Sequence, residues 1–280
     1  MKRVIQTYKA PHQWVNGPPG LGDFVRGICH LFEKLKHSGM ELRVDISQTG
    51  FAALIDADDG FFQVGDEQRI ASAEEYFVDH DALHHRLLAF QRSDEAELYI
   101  CTNLGAWDRK SLPEETRAFA QKFYRFNAEV ERLNAQALPT AGYEVLSLRC
   151  GDRFYTDPDG QVHADVKPLI CAIIEQQVLP QARSALVLTS DCHELKLELA
   201  QRYGMLTLPH RSQHGAYGNA LPVALDLCML KNSSFNHHIN TWATWWSGFS
   251  HYTSVIFKIP SVNFRAPHFA REEVEADLPG

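Results

Sequence analysis

Long apolar runs are missing from this sequence, and none approaches the roughly 18 residues that a membrane-spanning helix needs. The N-terminus, Met1-Lys2-Arg3-Val4-Ile5, turns polar at Gln6 before a signal-peptide core can build. The six cysteines (Cys29, Cys101, Cys150, Cys171, Cys192 and Cys228) form no CxxC pair, and their even count is weak evidence for disulfides in a chain this long, so a reducing compartment is expected. Isolated cysteines in apolar surroundings read as small buried hydrophobes. Together these features predict a soluble, cytoplasmic protein with no transmembrane segment. There is no GxSxG nucleophile elbow and no HExxH motif. Fourteen histidines are present. His84-His85, His237-His238 and His210 with His214 lack zinc-ligand spacing, so no metal is expected. An excess of basic charge is also missing: 27 Lys and Arg stand against 35 Asp and Glu, a formal net charge of -8. That balance weighs against a nucleic-acid or anionic-membrane partner, while leaving room for a local basic pocket.

What is present is a globular composition. Of 280 residues, 45% are hydrophobic and 22% charged, enough apolar surface for a large core or for two domains of about 140 residues. The first half opens strand–loop–helix–strand. Val4 to Tyr8 reads as a strand, Phe24 to Lys36 as a helix capped by Asp23 and ended by Gly39, and Leu42 to Ile46 as a second strand. From Asp56 to Asp94 only a helix around Ala82 to Phe90 stands out, followed by a strand at Leu98 to Cys101. One long helix is expected after Pro113, with its apolar stripe running from Ala118 to Leu133. A domain boundary falls near residues 138–143, giving units of 1–140 and 141–280. The second half alternates regularly. Strands are expected at Val145 to Leu148, Ala185 to Leu188, Met205 to Leu208, up to His238–Asn240, and at Ser254 to Phe257. Helices are expected from Leu169 to Val178, from the Asp191/Glu194 capping pair to Tyr203, from Pro222 to Leu230, and from about Thr241. Internal repeats and low-complexity segments are absent.

Four segments could carry chemistry. Gly20-Leu21-Gly22-Asp23-Phe24-Val25-Arg26-Gly27 follows a strand and opens a helix, where glycines let backbone approach a ligand and free amides attract an anion. It is not a dinucleotide fingerprint, because the third glycine is misplaced, and it lacks the P-loop lysine. Arg26 could face a ligand or form an ion pair. Ser147-Leu148-Arg149-Cys150-Gly151-Asp152 ends a strand at the edge where open α/β sheets bind ligands. Arg149 could hold a diphosphate there, with Asp152 orienting it, or the two could form a structural pair. Thr189-Ser190-Asp191 ends the next strand and could contact a ligand or cap a helix. Asp226 stands in a mostly apolar helix, where a carboxylate needs a partner. It is followed by Asn240-Thr241-Trp242-Ala243-Thr244-Trp245-Trp246, whose hydroxyls suit phosphate at a helix start and whose tryptophans suit a core.

With these pieces in this order, the chain resembles the fucosyltransferase superfamily, which includes nodulation, α-1,2-, α-1,6- and protein O-fucosyltransferases. Gly20-Leu21-Gly22-Asp23 looks like its GxGN loop and Ser147 to Asp152 like its HxRxGD motif. Leu188 to Asp191 resembles its strand ending in Ser/Thr-Asp. Asp226 with Asn240 to Trp246 resembles its helix aspartate followed by Asn-Ser-Ser-Phe-Ser-Trp-Trp. The resemblance is clearest over residues 145–260. It implies an α/β, GT-B-like fold of two Rossmann-like domains facing across a cleft, an N-terminal acceptor-side domain and a C-terminal nucleotide-sugar-binding domain. It further implies an inverting, metal-independent glycosyltransferase that moves a sugar, fucose from GDP-fucose in the family, to a glycan or glycolipid hydroxyl in polysaccharide biosynthesis. No cofactor is implied beyond the nucleotide-sugar co-substrate. By the same resemblance Arg149 holds the donor diphosphate, Asp226 lies near the guanine, Thr241 and Thr244 lie near the phosphates, Asn240 falls on a binding position, and Gly20 and Gly22 approach the donor from the other domain. Ser147, Ser190 and Asp191 fall on binding positions. The acceptor-activating base is open among Asp23, Asp152, Asp157 and Asp159. Two positions depart from the family: Ser147 replaces a histidine and Asp23 an asparagine. The second puts negative charge near the diphosphate unless Arg26 or Arg149 offsets it. A non-catalytic nucleotide-sugar or glycan-binding protein on the same scaffold is the alternative these departures keep open. An unrelated α/β enzyme such as a hydrolase is the third.

Overall fold

The computed structural model describes residues 1–8, 20–46, 50–56, 62–63, 75–106, 109–140, 142–150, 166–211, 220–241 and 247–265. Two all-parallel sheets organise them. The first holds β1 (Arg3–Gln6), β2 (Glu41–Asp45), β3 (Phe62–Gln63), β4 (Glu75–Phe77) and β5 (Glu97–Thr102) in the order β3-β2-β1-β5-β4. The second holds β6 (Tyr143–Leu148), β7 (Ala185–Ser190), β8 (Phe235–Asn240) and β9 (Ser261–Arg265) in the order β7-β6-β8-β9. All six residues of β6 are buried, as expected for a central parallel strand covered on both faces. In each sheet a central strand, β1 or β6, has neighbours reached by connections running in opposite directions. That reversal opens a crevice at the strands' carboxyl ends.

The helices are α1 (Leu21–Leu35), α2 (His80–Arg92), α3 (Glu114–Gln121), α4 (Ala128–Ala137), α5 (Val166–Ile173), α6 (His193–Tyr203), α7 (Leu221–Lys231) and α8 (Gly248–Phe257). On α1, Phe24, Ile28, Leu31 and Leu35 are buried at helical spacing. One apolar cluster joins α1 to the second half: Tyr8, Phe24, Ile28, Phe51 and Phe123 pack with Val223, Leu227, Tyr252 and Ile256. Hydrogen bonds reinforce this seam. Tyr252 Oη donates to the Ala106 carbonyl at 2.6 Å, Asn134 Nδ2 to that of Leu225 at 3.1 Å, and Gln121 Nε2 to that of Ile256 at 3.2 Å. So α7 and α8, which connect strands of the second sheet (β7 to β8 and β8 to β9), close the core of the first. Among the described residues no helix is long and apolar enough to cross a membrane, and all six cysteines are free thiols, five of them buried.

Several sequence expectations change. The long helix after Pro113 is broken: α3 ends at Gln121, a tight turn spans Lys122–Tyr124, and α4 restarts where the Asn127 side chain accepts the Val130 amide at 3.1 Å. A local cap defeats a continuous apolar stripe. Ser254 to Phe257 is the end of α8, not a strand, and the last strand is β9. Its β-branched apolar residues suit a strand locally, but they pack against α1. The Met205–Leu208 segment contributes a single bridge, Leu206 to Val187. Two expected caps fail. Gly20, not Asp23, precedes α1, and α6 starts after Cys192 with no side-chain cap. Both aspartates are engaged elsewhere, in the cleft described next.

Candidate functional site

A cleft of about 720 Å³, counting its solvent-open space, lies where the carboxyl ends of β6 and β7 face the amino ends of α1 and α8. Ser147 and Arg149 line it from the end of β6, and Thr189, Ser190 and Asp191 from the end of β7. Gly20, Gly22 and Asp23 come from the start of α1, Asp226 and Val223 from α7, and Ser247 to Ser250 from the start of α8. Two helix amino termini therefore converge on one cavity, each with unsatisfied amides and a partial positive charge. Among the described lining residues Arg149, half-buried, is the cationic side chain. The ensemble suits an anion with at least two charged groups.

Each side chain has a local reason for its place. Gly22 is fixed by close approach: a Cβ there would lie 2.3 Å from the Phe249 amide nitrogen. Its absence of a side chain thus serves first to let α1 meet α8, which brings the two helix starts together. Gly27 does the same for α1 on β5, where a Cβ would meet the Thr102 carbonyl oxygen at 2.0 Å. Arg26 is buried and stands behind the cleft, outside its lining. Its Nε donates to the Asn103 carbonyl at 2.5 Å, and its guanidinium lies 3.2 Å from Asp23 Oδ1. The cation therefore offsets the Asp23 charge at the mouth of α1 rather than reaching into the cavity.

On the opposite wall Asp191 Oδ1 accepts the Cys150 amide at 2.5 Å, tying the end of β6 to that of β7. Ser190 Oγ accepts the Cys192 amide at 3.2 Å. This lacing presents Arg149 from a fixed strand end. Asp226 is buried, and its Oδ1 lies 3.2 Å from His210 Nε2. The His210 carbonyl in turn accepts from Lys196 Nζ at 2.8 Å, and the Leu208 carbonyl accepts from the same ammonium at 3.2 Å. Lys196 is only 1% exposed, and its burial lowers its pKa, partly countered by Asp226. One carboxylate, one imidazole and one buried ammonium thus hold the floor of the cleft. Ser147 is buried, and its Oγ has no hydrogen-bond partner among the described residues.

Of the sequence candidates, Gly20, Gly22, Asp23, Ser147, Arg149, Ser190, Asp191 and Asp226 come together in this lining. Arg26 supports it from behind. Asn240 ends β8 and Thr241 follows it, both outside the lining of the cleft. Asp152, Asp157, Asp159, Thr244 and the three tryptophans Trp242, Trp245 and Trp246 lie outside the described residues. Sequence reasoning missed Lys196, which carries no motif, and weighed His210 only as a metal ligand, not as the partner of Asp226. It also missed Ser247, which was legible as a helix cap: its Oγ accepts the Ser250 amide at 3.5 Å. Among the described residues no three His, Cys, Asp or Glu side chains gather as metal ligands.

No known family profile matches the chain, and no curated protein sequence does either. Solved structures do match in shape. A mutant of FUT1 from Arabidopsis thaliana in complex with GDP superposes with a TM-score of 0.61 at 12% identity, over 95% of this chain and 71% of that one. The fucosyltransferase NodZ from Bradyrhizobium gives 0.57 at 12% identity, over 91% of this chain and 92% of that one. The chain has the GT-B fold of the fucosyltransferases. In this chain residues of both halves line the cleft, where Arg149 and the two helix starts meet.

Proposed function

We propose that the cleft binds a nucleoside-diphosphate sugar and that the protein is a glycosyltransferase, with GDP-fucose as the first donor to test and a glycan hydroxyl as the acceptor. The observation that carries this reading is the position of Arg149. It stands at the carboxyl end of the central strand β6, in a cleft whose other walls are two helix amino termini. A diphosphate placed there meets a guanidinium on one side and backbone amides on the other. The same groups would stabilise the negative charge that builds on the diphosphate as the glycosidic bond breaks. This arrangement needs no metal for that charge, and the transfer is proposed as metal-independent.

Inversion requires the acceptor oxygen to approach the anomeric carbon from the side opposite the leaving diphosphate. A base must take the hydroxyl proton as that oxygen attacks. Asp23 is our choice. It lines the cleft from α1, on the side away from the strand ends that carry Arg149. Asp191 and Asp226 line the opposite side, engaged with the Cys150 amide and with His210. Asp226, braced by His210 and Lys196, is suited to accept hydrogen bonds from the N–H edge of a nucleobase, and guanine offers two such donors on one edge. The packed seam of α1 with α8 holds both walls of the cleft in place for the reaction.

A thermal-shift series with GDP, UDP, ADP, GDP-fucose and GDP-mannose tests the donor, since a ligand of the folded state raises the melting temperature by mass action. A selective rise with GDP is expected; no rise with any nucleoside diphosphate would overturn the reading. Asp23→Asn should keep GDP binding and lose transfer. The second reading is a nucleotide-sugar-binding protein without catalysis. It is favoured by the Asp23–Arg26 ion pair, which places the carboxylate in a structural bond. Tight GDP-fucose binding with no glycan product by mass spectrometry would select it.

A further inference from the structure

A second cavity, of about 1510 Å³ counting its solvent-open space, runs between α8, β9 and the Lys110–Leu112 segment. It shares no lining residue with the cleft. Ser250 lines the cleft, and its Oγ hydrogen-bonds His238 Nδ1 at 3.1 Å. His238 lines the second cavity, and its Nε2 is buried with no hydrogen-bond partner among the described residues. His238 is only 3% exposed, and burial holds it neutral, with a pKa down at about 3. Asn263, its register neighbour on β9, shows the same deficit at both ends: neither Nδ2 nor Oδ1 finds a partner among the described residues. Native folds rarely leave such groups unpaired, because each forfeits its hydrogen bonds to water.

The rim carries charge. Lys110, Arg117 and Lys258 line the cavity; Glu114, outside the lining, pairs with Arg117 and lies 3.6 Å from Lys258. Lys258 adds an oddity of its own. It has φ 55, the only positive φ at a non-glycine among the described residues. A left-handed position that glycine would fill more easily instead carries an ammonium at the cavity mouth.

We propose that this cavity is a binding site for an acidic, hydroxylated small molecule, a sugar unit bearing a carboxylate or a phosphate. The hydroxyls would satisfy His238 Nε2 and both ends of the Asn263 amide, while Lys110 and Lys258 meet the anion. The site is distinct from the donor cleft and does not depend on the donor reading.

Calorimetric titration of the full chain with glucuronate, glucose 6-phosphate and neutral glucose, each with and without GDP, tests it. Saturable binding of either acid, undisturbed by GDP, is expected, with glucose binding at least about tenfold more weakly. Preference for glucuronate identifies the carboxylate as the source of the charge, and preference for glucose 6-phosphate identifies the phosphate. Lys258→Gly, which suits the left-handed backbone and so keeps the fold, should weaken the acid about tenfold or more, and so should Asn263→Leu. The inference is overturned if neither acid binds, if glucose binds as tightly, if GDP displaces the acid, or if Lys258→Gly leaves its affinity unchanged.

Discussion

The two halves of the molecule meet the same cleft in different ways. The second half offers side chains from strand ends, Ser147 and Arg149 after β6 and Thr189 to Asp191 after β7, together with Asp226 of α7 and the start of α8. The first half offers mainly backbone, the Gly20–Gly22 entry to α1, plus a single carboxylate, Asp23, which is neutralised from behind by Arg26. Strand ends locked by the Asp191–Cys150 bond hold a guanidinium at a fixed angle, which suits selective recognition of a ligand's charge and shape. A helix start offers amides and a dipole, which attract any anion. Ligand identity should therefore be decided by the second half, and the geometry of closure by the first.

The sharpest way to break this asymmetry is Arg149→Ala. Removing the guanidinium should lower nucleoside-diphosphate affinity by about 100-fold, or about 3 kcal/mol, by calorimetry. If affinity survives, the helix starts alone hold the anion, and the division of labour fails. The complementary change in the first half is Gly22→Ala. Its Cβ would sit 2.3 Å from the backbone of α8, so the two helices must separate, at a cost of about 2–3 kcal/mol in denaturant unfolding. Gly27→Ala, whose Cβ would meet β5 within the first half, should cost a similar amount of stability. Only Gly22→Ala should widen the cleft, and so only it should lose nucleotide affinity beyond what its stability explains.

Acid probes the seam from the other side. His238 supports the start of α8 through Ser250, and its pKa is lowered to about 3 by burial first and by His251 and His237 next. In the unfolded chain the imidazole titrates near 6.5. Below that pH the unfolded state binds a proton that the folded state does not, so stability is full above about pH 6.5 and falls steadily as pH drops toward 3. By pH 5 the loss should reach about 2 kcal/mol. Chemical denaturation at pH 7 and pH 5 measures it. His238→Asn should remove its share of that slope and leave the share of His30, whose pKa burial lowers to about 4; an unchanged slope would remove His238 as a source.

Much of this arrangement was legible in the sequence because it rests on local patterns. The strand–glycine–helix opening, the Arg149 strand end and the Asp226 helix are short, periodic and punctuated by Gly or Pro. What escaped depends on tertiary contact. The apolar run at Ser254 to Phe257 looks like a strand until α1 is seen to cover it. The single helix expected after Pro113 ignores a cap made by Asn127. Arg26 could face the cavity or an acid, and only the distance to Asp23 decides. Lys196 and His210, sixteen or more residues from Asp226, have no spacing that announces a shared floor.

Ser147 separates binding from stability more cleanly than any of these positions, although its effect is the smallest. Its Oγ is buried at the end of β6 with no partner among the described residues. An unsatisfied hydroxyl contributes nothing to the empty fold, so Ser147→Ala should leave the unliganded protein as stable as before or slightly more so. If the hydroxyl is kept for a ligand in the cleft, the same change should weaken nucleotide binding about fivefold, roughly the 1 kcal/mol of one neutral hydrogen bond. A purely structural serine would give the reverse pair of results, with stability lost and affinity kept. Paired melting and calorimetric measurements on one variant therefore test whether β6 ends in a wall or in a contact. A loss of stability with affinity kept would tie the strand end to the fold alone and weaken the contrast between a selective second half and a permissive first.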